Sequence, residues 1–145
     1  MAFQIRIGET RDYISPKDPD PSNPTVWTLG ALDLRARTYI QDETTTFEVS
    51  SSQKPTDRAS VKLRLSERNV LLVRFGLKGW RNLKDGQGQD IASEQDAVPI
   101  DGKTYAVVSK RLIDQFPYEL IEELAAEILG LNTLTEQDRK NSASR

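Results

Sequence analysis

Residues 70–88 read VLLVRFGLKGWRNLKDGQG, the most apolar run in an otherwise polar chain. Val70, Val73, Leu77 and Trp80 recur at i, i+3, i+7 and i+10, the spacing of one helix face, and Leu72 and Phe75 widen that face. A helix apolar over most of its circumference has to be buried on more than one side. Ser66 and Glu67 suit a first turn and Gly79 suits the left-handed residue that ends a helix, so the pattern predicts a helix over 67–79. Gly76 falls in its interior, where glycine costs on the order of 1 kcal/mol against alanine, which points to a neighbour packed close to the backbone. Arg74, Lys78 and Arg81 line up at i, i+4 and i+7 as the remaining, basic stripe.

Toward the N-terminus, FQIRI alternates Phe3, Ile5 and Ile7 with polar residues, the period of a half-buried strand. SPKDPDPSNPT follows, and its four prolines, Pro16, Pro19, Pro21 and Pro24, exclude helix and favour extended or irregular backbone. Such a segment is a surface loop or a preorganised arm that docks on a neighbour at small entropic cost. TVWTLGAL has strand composition around Trp27, and Asp33 is placed to cap a short helix through DLRARTYIQDE. TFEVS and SVKLRLS each alternate and read as two strands joined by SSQKPTDRA.

On the C-terminal side, the DGQGQD region gives a long loop over 81–96. AVPIDGKTYAVV reads as a hairpin turning at Asp101-Gly102 in type I′ geometry, and VSKRLIDQF as a brief helix. PYELIEELAAEILG is a helix with Pro117 at its start, Leu120, Ile121, Leu124, Ala125 and Ile128 on its apolar face, and Gly130 as its stop. Thr135 then starts a second short helix. The expectation is an α+β fold: a small antiparallel sheet with an extended proline-rich N-terminal arm, packed against a central apolar helix and a C-terminal helix pair. Along the chain this divides into a strand and arm over 1–24, one domain over 25–132, and a short helix with a polar tail over 133–145. In the core, Val70, Val73, Leu77 and Trp80 are expected to meet Leu120, Leu124 and Ile128.

Composition excludes whole classes of chemistry. The 145 residues include no cysteine and no histidine. Disulfides, thiolate nucleophiles, histidine bases and most transition-metal sites are therefore ruled out. Two stretches imitate a calcium loop. The first sets Asp18, Asp20 and Ser22 at positions one, three and five, but has Asn23 and Leu29 where the loop needs glycine and glutamate. The second, beginning at Asp85, puts Asp90 in the glycine position and Asp96 in the last. Both read as turns, so no catalytic residue, cofactor or metal is expected. Twenty basic against 22 acidic residues leave a net charge of −2, so electrostatic recognition has to be local. The stretch from Arg58 to Lys84 is the local exception, with eight basic residues and Glu67 as its one acid. Its stripe is either a nucleic-acid contact or a salt-bridged face whose counter-charges are Glu119, Glu122, Glu123 and Glu127. Neither a signal peptide nor a membrane-crossing stretch is read, which gives a protein made in the cytoplasm.

VWTLGALD, then VRFGLKGWRNLKDGQG, then VVSKRLIDQFPYELIEELAAEILGLNTLTEQDRKN resemble the small structural and assembly proteins of tailed-bacteriophage morphogenesis clusters. The shared arrangement spans residues 25 to 141: a helix ending in Gly-Leu-x-Gly-Trp, an Asp-Gly turn, and a closing acidic helix before LTEQDRKN. The resemblance implies a non-enzymatic virion protein of the capsid, neck or tail, made in the host cytoplasm. It would be homo-oligomeric and bound to other phage structural proteins, with no membrane partner. Pro16, Pro19, Pro21, Pro24, Arg74, Lys78 and Arg81 are the candidate partner-binding residues, with the 81–96 loop reaching neighbours. Two alternatives stand beside it: a tail-assembly chaperone that binds a tail protein transiently, and a small nucleic-acid-binding regulatory domain using the basic stripe.

Overall fold

A computed structural model of the chain describes the backbone over 9–45 and 56–143, with side chains over 9–44 and 64–131. The strands expected over FQIRI and TFEVS lie outside the described residues. The elements in chain order are β1 (Thr10–Tyr13), β2 (Val26–Gly30), α1 (Leu34–Thr45), α2 (Thr56–Gly76), β3 (Leu77–Arg81), β4 (Gln95–Ile100), β5 (Lys103–Val108), α3 (Lys110–Ile113) and α4 (Tyr118–Ala143). The α+β class follows from them, with two small antiparallel sheets, β1-β2-β3 and β4-β5.

The stretch that opens the sequence argument is half helix and half strand. Helix α2 begins at Thr56, eleven residues before the expected start, so SVKLRLS is helical and not a strand. Pro55 precedes its first residue and no proline or glycine interrupts it before Gly76, so helix propagation overrides a short run of alternation. The helix stops at Gly76, and Leu77–Arg81 leaves it as β3, antiparallel to β2. Within that pairing Trp27 faces Trp80, Thr28 faces Gly79 and Leu29 faces Leu77, so Lys78 has no cross-strand partner. The extra residue bends β3 and resets its alternation. Leu77 and Trp80 therefore reach the core from one strand face although they stand three residues apart, a spacing that in sequence imitates a helix.

Gly76 sits where α2 crosses α4. A β-carbon there would lie 2.6 Å from Ile128 Cγ2, so the close neighbour expected at this glycine is Ile128. Around this crossing the core gathers Trp27 and Leu29 from β2, Leu72, Val73 and Phe75 from α2, and Leu124 and Ile128 from α4. Trp80 and Leu120 are partly buried against it. Trp27, Trp80 and Phe116 form an edge-to-face trio with centroids 5.8–6.1 Å apart.

Two further expectations change. Gly130 does not end the C-terminal helix: α4 runs unbroken from Tyr118 to Ala143, so one long helix replaces the pair, and the boundary at 132 falls inside it. Glycine inside a helix costs only about 1 kcal/mol, less than starting a new helix does. The N-terminal boundary at 24 likewise falls inside a hairpin, because β1 pairs with β2 from Thr10↔Gly30 to Tyr13↔Trp27. The other local readings hold. Asp33 caps α1 through its Oδ1, which accepts from Ala36 N–H at 2.8 Å, and Ser109 caps α3. Asp101 and Gly102 both have positive φ, 50° and 84°, as a type I′ turn requires.

Candidate functional site

The proline segment is the connection of the β1–β2 hairpin, folded back on the domain, and not an arm that leaves it. Its closure is local. Asp18 Oδ1 accepts from Asp20 N–H at 2.8 Å and Oδ2 from Thr25 N–H at 2.9 Å, so one carboxylate spans the loop. Ser15 Oγ accepts from Lys17 N–H, Ser15 O from Asp18 N–H, and Asp20 O from Asn23 N–H. Asn82 holds the far side. At φ 62° it occupies the left-handed region that asparagine tolerates, and its amide donates to Asn23 O at 2.7 Å and Pro24 O at 3.2 Å. Pro16, Pro19 and Pro21 remain exposed, and Pro24 is half-buried. With fixed φ angles and a pinned backbone, this surface has little entropy left to lose on binding.

Between this loop, the 82–84 turn and the first turns of α4 lies a groove of about 500 Å³. Pro19, Trp27, Pro117 and Leu120 give it apolar walls, and Glu119 and Glu123 stand along the α4 side. Glu123 accepts the Tyr13 hydroxyl hydrogen. Burial and that acidic partner raise the Tyr13 phenol well above its ordinary pKa. Arg11 reaches Glu127 one turn farther on, so β1 is moored to α4 by alternate side chains of one strand face.

The basic residues part company. Arg74 lies on α2, where its Nε donates to Val108 O at 2.9 Å and its Nη2 to Asp96 at 2.8 Å, clamping the β4–β5 hairpin. Arg81 pairs with Asp12 on the outer sheet face at 3.1 Å. Lys78, on the exposed side of β3, lays its stem over Gly30 and donates to Phe75 O at 2.8 Å. Desolvation there, with the nearby Lys103, pulls its ammonium below the usual lysine range against the opposing pull of Asp33. No single stripe forms, because the helix on which the spacing relied ends at Gly76. Nor are the counter-charges those of α4; they are Asp12 and Asp96.

The remaining carboxylates with shifted pKa are structural acceptors. Burial opposes ionisation of Asp33, but Ala36 N–H, the Lys103 ammonium at 2.9 Å and the Tyr105 hydroxyl outweigh it and hold the carboxyl at about 2. Asp85 Oδ1 accepts from Gln87 and Gln89 N–H and closes a turn, and Lys84 pairs with Asp90 across it. The long 81–96 loop is thus partly a pinched turn, with Trp80 Nε1 donating to Ile91 O at 2.8 Å at its base. Among the described residues no group of three metal-ligating side chains gathers, and both calcium-loop imitations are turns. No described helix is long and apolar enough to cross a membrane. Asp18 and Asn82 were not among the candidates. The Asp-x-Asp of the loop is a turn signal, whereas nothing local marks Asn82, whose partners lie almost sixty residues away. Comparison with protein-family models, curated proteins and solved structures finds no match.

Proposed function

We propose that this chain is a non-enzymatic bacteriophage structural protein, and that the groove beside the proline loop is its contact face toward another virion subunit. The observation that carries the reading is that groove: apolar walls next to exposed prolines on a loop whose backbone Asp18 and Asn82 hold. A preformed, half-apolar concavity loses little entropy on docking and gains from burying its walls. The non-enzymatic part is supported by Asp18, Asp33 and Asp85, whose oxygens are occupied as acceptors for turns and caps. The phage assignment draws on the resemblance over residues 25 to 141. The dispersal of Arg74, Lys78 and Arg81 gives the nucleic-acid alternative no support.

Replacing exposed Pro16, Pro19 and Pro21 together by serine changes the loop surface while leaving Asp18 in place. Co-expressed with the products of adjacent genes and sized by light scattering, the variant is expected to stay folded and to lose the complex. A complex of unchanged size would remove the contact-face reading. A partner that is bound during assembly and missing from finished particles would favour the chaperone role over the virion role.

A further inference from the structure

We infer that the seam between α2 and α4 binds a second copy of this chain about a two-fold axis, with Leu65 of one copy against Tyr118 of the other and Arg68 against Glu122. The seam is a different surface from the groove beside the proline loop, so this dimer stands or falls apart from that contact face. Ile14, Leu34, Leu65 and Tyr118 are the exposed large apolar residues among the described ones, and two of the four adjoin here. Leu65 is 50% exposed and Tyr118 41%. Asn69 stands one turn after Leu65 on the same side of α2, and its amide donates to the Tyr118 hydroxyl at 3.1 Å. Leu65 and Tyr118 therefore belong to one surface, and neighbouring exposed apolar groups mark a place where something docks.

Charge says what docks. Arg68 lies at i+3 from Leu65 and Glu122 at i+4 from Tyr118, so each helix adds one ion to its side of the seam. Neither has an ion-pair partner among the described residues, whereas Arg64 nearby holds Glu67 at 3.3 Å. An acidic partner would satisfy Arg68 and repel Glu122, and a basic partner would do the reverse; a second copy answers both. The helix directions permit the exchange. Asn69 meets Tyr118 and Gly76 meets Ile128, so α2 and α4 run in the same sense. Counted back from the contact of Gly76 with Ile128, Leu65 comes level with the start of α4 and Arg68 with its first turn. A two-fold axis along the pair lays α2 of one copy over α4 of the other at equal heights, so Leu65 meets Tyr118 and Arg68 meets Glu122 twice over, as an isologous contact requires.

The test is sedimentation equilibrium on the full chain. The parent is expected to show a monomer–dimer equilibrium in the micromolar to millimolar range. Leu65→Gln keeps a good helix former and removes two apolar contacts per dimer, so it is expected to weaken association by at least about tenfold with an unchanged circular dichroism spectrum. Arg68→Glu and Glu122→Arg each set like charges against one another across the axis, and each alone is expected to be monomeric. Mixed in equal amounts, the two charge variants are expected to form a heterodimer, because every opposed pair then has opposite signs. Misfolded chains could not give that rescue. A parent that stays monomeric, a dimer indifferent to Leu65→Gln, charge variants that still dimerise alone, or a mixture that stays monomeric would each overturn the inference. A monomeric parent that loses a complex with another protein on Leu65→Gln would also overturn it, by giving the seam to that protein.

Discussion

Gly76 and Ile128 touch across the crossing of α2 and α4, where a β-carbon on the glycine would stand 2.6–2.9 Å from three side-chain carbons of Ile128. Ile128 is fully buried and has no room to yield. Gly76→Ala should therefore destabilise the fold by about 1–3 kcal/mol, the usual cost of overpacking, even though alanine is the better helix former. Urea denaturation checks it. Adding Ile128→Val should recover part of the loss, and a Gly76→Ala protein as stable as the parent would show that the helices can separate at no cost.

Trp80 completes the aromatic trio and donates to Ile91 O. Trp80→Ala should cost about 3 kcal/mol, near the low end for such truncations because the ring is only partly buried. Trp80→Phe keeps the stacking and loses the hydrogen bond, so it should cost about 1 kcal/mol. Equal losses in the two variants would make the hydrogen bond, and not the ring, the source of stability.

Arg74 differs from the other two basic residues in having a side chain only 14% exposed and two charge-assisted bonds to the β4–β5 hairpin. Arg74→Ala should cost about 2 kcal/mol, while Lys78→Ala and Arg81→Ala should each stay within about 0.5 kcal/mol. Thermal melts of the three variants decide it. Equal effects would restore the idea of one functional stripe.

Asp33 links stability to acid. Its folded-state pKa of about 2 lies below the unfolded carboxylate value near 3.8. A depressed pKa contributes stability that is fully present above the unfolded value and is lost as pH falls through the folded one. The loss should thus occur between about pH 4 and pH 2. The side chain is 43% exposed, so after discounting for solvent screening the contribution is about 1 kcal/mol. Asp33→Ala should lower stability at neutral pH by about 1–2 kcal/mol, cap included, and flatten the acid limb of the profile. A parallel acid limb in the variant would place the titrating group elsewhere.

Local chemistry in the sequence determined the elements that close on themselves: the Asp33 cap, the Asp101-Gly102 hairpin, the Ser109 helix and the apolar face of α4. In each, the interacting groups lie within a few residues, so spacing alone carries the information. The tight spot at Gly76 was legible too, as a glycine with no local excuse. Tertiary structure decided the rest. A helix running on to Trp80 and a helix that breaks at Gly76 into a strand with an unpaired Lys78 present the same apolar spacing; only pairing with β2, some fifty residues earlier, distinguishes them. The same event dispersed Arg74, Lys78 and Arg81 and gave each its own partner. The proline segment became a loop because Tyr13 and Trp27 bring its ends together and Asn82 grips it from another turn. The groove follows from that closure, since its walls come from three separate stretches of chain that no local pattern relates.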